Sequence, residues 1–82
     1  MTLVLLRSPL GQSQIRMIQS ILERSPQNRV ILLSSSATWP DSGKGQVLSV
    51  SEDPDRPYPA ISWDETYAMI KNASSLLIPA NV

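Results

Sequence analysis

The chain has no cysteine and no histidine among its 82 residues. Without a thiol there is no thiolate nucleophile, no persulfide carrier, no disulfide and no soft metal ligand. Without an imidazole the usual acid–base group near neutral pH is gone, and a serine nucleophile of the triad type has no base to activate it. An excess of charge is missing as well, because seven Lys and Arg residues balance seven Asp and Glu. Nucleic-acid surfaces are built on a basic excess, so no direct nucleic-acid contact is expected. The N-terminal apolar run is only Leu3 to Leu6, with Arg7 after it rather than before it. That is too short for a signal sequence or a membrane span, which leaves the expectation of a cytoplasmic protein with no membrane contact.

What is present reads as one small α/β domain over residues 1–82. "TLVLLR" (2–7) and "RVILLS" (29–34) are short apolar runs closed by breakers, the pattern of strands buried on both faces of a parallel sheet. "QVLSVS" (46–51) and "SSLLIP" (74–79) read as a third and a fourth strand. Between the first two, residues 10–24 follow a helical period. Ile15, Ile18 and Leu22 form its stripe, Leu10, Met17 and Ile21 widen it, and Pro9 is expected near the first helical position. "SWDETYAMIKNA" (62–73) is a second helix. Ser62 and Glu65 form a capping box, Asp64 and Lys71 suit its two ends, and Trp63, Tyr67 and Ile70 mark one apolar face. The order predicts a mostly parallel four-stranded sheet with helices packed on its faces.

Candidate chemistry is sparse. "SATWPDSGKG" ends like a phosphate loop, but it lacks the first glycine, holds Pro40 inside, and has Gly45 where a hydroxyl should bind magnesium. Lys44 reads as a solvated loop charge. "EDPD" (52–55) gathers carboxylates, yet Pro54 stiffens a loop that a hard cation would need to wrap around it. "PDRP" (54–57) matches a polyproline recognition pattern and also a plain stiff connection. "NAS" (72–74) fits the glycosylation pattern at what reads as a helix end, where chance is the simpler source. Trp63 reads as a core or semi-core residue at the start of the second helix. Trp39 has no periodic partner and stands beside a proline, so an interface or pocket role is expected of it, with Arg56 and Tyr58 on the nearby proline-rich loop. No catalytic residue, metal ligand or cofactor is assigned.

Taken together, "TLVLLRSPLG", "RVILLSSSATW", "VLSVSEDPDRP" and "ISWDETYAMIKNASSLL" resemble the DsrH/TusB family of the DsrE-like sulfur-relay fold. The resemblance spans most of the chain and rests on spacing and loose patterns. It implies a compact α/β fold and a place in complexes that pass persulfide sulfur. The destination is tRNA 2-thiouridine in the TusBCD type and sulfur oxidation in the Dsr type. Carrier subunits of that fold place a reactive cysteine at a position that aligns near Ser49, and a serine there carries no persulfide. The chain departs from the family at Ser35 to Trp39, at "PDSGKG", and at Pro57, where a glycine would follow Arg56. The resemblance implies a non-catalytic structural subunit whose partners are TusC/TusD- or DsrE/DsrF-type subunits, or itself. The alternative is a small ligand-binding or regulatory α/β module acting as a homo-oligomer, with its ligand beyond the carboxyl ends of the strands.

Overall fold

Short apolar runs next to one another in a chain bury best as parallel strands with helices on both sides. The computed structural model has that arrangement; it describes residues 1–34, 37–40, 45–50 and 58–79. Four strands, β1 (Thr2–Leu6), β2 (Arg29–Leu32), β3 (Val47–Ser49) and β4 (Ser75–Leu77), form one sheet in the order β3-β2-β1-β4, with every pairing parallel. Helix α1 (Gln12–Arg24) joins β1 to β2, and helix α2 (Trp63–Asn72) lies between β3 and β4.

Alternation along the strands divides the core in two. Val4, Leu6, Val30, Leu32 and Val47 pack with Ile18 and Leu22 of α1. Leu3, Leu5 and Ile31 point the other way, to Ile61 and to Met69, Ile70 and Ala73 at the end of α2. Both faces of β1 and β2 are thus closed, as their unbroken apolar sequences require. No helix among the described residues is long and apolar enough to cross a membrane.

Three local expectations change. Pro9 lies outside α1, which opens at Gln12 with Gly11 as its extended N-cap residue; the intervening Leu10 turns into the core beside α1 instead of starting the helix. Met17, expected on the inward stripe, is half exposed, because Ile18 and Leu22 supply the buried contact. In α2 the buried side chain is Thr66, while Trp63 and Tyr67 are 51% and 59% exposed. The Ser62 half of the capping box is made, its Oγ accepting from the Glu65 N–H at 3.1 Å. Gly45, with φ of +85°, leads the chain into β3 through a left-handed backbone that glycine takes without the strain a side chain adds.

At the start of α1, Gln14 Oε1 accepts from the Gly11 N–H at 3.4 Å, but Gly11 has no side chain to accept a first-turn N–H and the first turn holds no acidic residue. A Cβ built on Gly11 meets nothing within 4 Å, and its φ of −71° suits any residue. Gly11→Asp should therefore accept a first-turn N–H and complement the helix dipole, adding about 0.5 kcal/mol. Urea unfolding checks this, and an unchanged or lower midpoint would contradict it.

Candidate functional site

The expected interaction residues fall in different settings. Trp39 is buried at 5% exposure and belongs to the core cluster on the α1 side, with Ala37, Leu32 and Val47. Its ring packs inside this chain. Tyr58 is brought to it from the far side of β3. The Tyr58 hydroxyl accepts from the Trp39 N–H at 3.0 Å and donates to the Trp39 carbonyl. A phenol can do both at once, so Tyr58 fixes the backbone that presents the indole. Arg56, the "EDPD" and "PDRP" stretches and Lys44 lie outside the described residues.

Ser49 is buried at the carboxyl end of β3. Its N–H donates to the Pro59 carbonyl and its carbonyl accepts from the Ile61 N–H, both at 2.9 Å. Residues 59–61 therefore lie along the outer edge of β3, with Ala60 as the bridge partner of Ser49. A side chain at this position looks into packed protein.

The strand order creates one further feature. β1 leads into α1 towards β2, whereas β4 is reached from β3 by way of α2 on the opposite face. Neighbouring strands β1 and β4 thus form a topological switch point, the place where open α/β sheets hold ligands beyond their carboxyl ends. At that end, Ser34 Oγ donates to the Arg7 carbonyl at 2.7 Å, tying the end of β2 to the segment that enters α1.

The most exposed apolar surface is elsewhere. In β4, Leu76 pairs with Leu3 and so shares its face, the one that α2 covers. Leu76 is nonetheless 46% exposed, and Ile78, just past the end of β4, is 54% exposed. Helix α2 covers the inner strands and stops short of β4. Its inward stripe is Thr66, Met69, Ile70 and Ala73. At about 100° per residue, Trp63 and Tyr67 stand about 60° and 100° round from Thr66. Parallel crossovers are right-handed, and in such a crossover that flank of α2 faces β4. The two rings lie 6.3 Å apart between centroids. With Leu76 and Ile78 they are half-exposed apolar side chains on α2 and at the β4 end of the sheet.

The sequence placed Trp63 and Tyr67 on one apolar face with Ile70, and Trp63 read as a core or semi-core residue. The informative signal was Thr66 with Met69, Ile70 and Ala73, which centres the inward arc away from both rings. Comparison with protein-family models, with curated proteins and with solved structures gives no match.

Proposed function

We propose that this protein is a non-catalytic subunit that works by assembly, of the kind found in sulfur-relay complexes, with the exposed apolar side chains of α2 and of the β4 end of the sheet as its assembly surface. The observation that carries the reading is the half-exposed set Trp63, Tyr67, Leu76 and Ile78 beside a sheet edge. Aromatic and aliphatic groups held half in water on a rigid helix and strand lose little entropy on docking and gain much from burial. The relay setting rests on the resemblance of the sequence to the DsrH/TusB family. Ser49 fits a structural role within it, since a hydroxyl at the carrier position stores no sulfur.

Native mass spectrometry after mild purification from the source tests the reading. It predicts a complex in which the chain co-purifies with a persulfide-carrying subunit, and which Trp63→Ser with Tyr67→Ser dissociates. A stable single chain, or a complex indifferent to those substitutions, would refute it.

A second reading, a ligand-binding α/β module, is favoured by the switch point between β1 and β4. It predicts that nucleotides or small anions raise the melting temperature by several degrees, as any ligand selective for the folded state does. No shift with any of them removes it.

A further inference from the structure

We draw no further inference here: the strongest candidate, the half-exposed apolar patch of Trp63 and Tyr67 on α2 with Leu76 and Ile78 at the β4 edge of the sheet, carries nothing beyond the assembly reading, because nothing in the structure shows what covers it.

Discussion

Trp39→Ala should lower the stability of the fold by about 3–5 kcal/mol, the range for deleting a large ring from a packed core. The indole is 5% exposed and closes the α1-side cluster against Leu32, Ala37 and Val47. A domain of this length holds roughly 4–12 kcal/mol in total. The variant should therefore melt on the order of 15–30 °C lower, with part of the population unfolded at growth temperatures. Tyr58 bonds to the Trp39 backbone rather than to its ring, so those hydrogen bonds remain possible in the variant. The loss measured by thermal denaturation thus reports the cavity itself. Trp39→Phe keeps most of the filling volume and should recover more than half of the loss. A change below about 1 kcal/mol for Trp39→Ala would contradict the burial, because an exposed ring costs that little to remove.

The same tryptophan marks the boundary of what local pattern can tell. β1 and β2 were legible because a strand closed on both faces must be apolar without interruption, a constraint that acts residue by residue. The order of elements followed from the same runs. Trp39 lies in a segment without period, and its burial depends on Tyr58, nineteen positions away in sequence. Nothing local encodes that meeting. Trp63 and Tyr67 failed for the opposite reason, since their spacing does match a helical face. The face was real but turned away from the core, because Thr66, bonded through its hydroxyl to the Ser62 carbonyl at 2.8 Å, occupies the buried centre of α2. A polar residue able to satisfy itself on its own helix is free to face inward, and hydrophobicity then misplaces the stripe. The exposure of Leu76 followed from position in the sheet. β4 stands at an edge, where α2 no longer covers it, and strand order is a tertiary property.

Asn28→Leu should cost about 2–4 kcal/mol although it replaces a polar side chain by an apolar one of similar size. Asn28 is buried, and its amide joins two elements at the amino ends of the strands. Its Oδ1 accepts from the Thr2 N–H at 2.8 Å, and its Nδ2 donates to the Ile21 carbonyl of α1 at 2.6 Å. Its own carbonyl accepts from Gln46 Nε2 at 3.0 Å, the same amide that reaches the Leu22 and Ser25 carbonyls at the end of α1. One side chain thus holds the start of β1 and the last turns of α1, and Gln46 adds the approach to β3. Leucine fills the space but leaves a buried N–H and a helix carbonyl without partners, each costing about 1–3 kcal/mol. The transfer of an apolar group from water offsets part of that loss. Asn28→Asp distinguishes hydrogen bonding from packing. Its carboxylate still accepts from Thr2 but faces the Ile21 carbonyl with no proton to give, so the bond that ties α1 is lost at nearly constant volume. Chemical denaturation should rank the native chain above both variants by at least about 1 kcal/mol. Hydrogen exchange should show the earliest loss of protection at Thr2, whose N–H has Asn28 as its partner. A leucine variant as stable as the native chain would mean that packing alone, and not this junction of amides, holds α1 against the sheet.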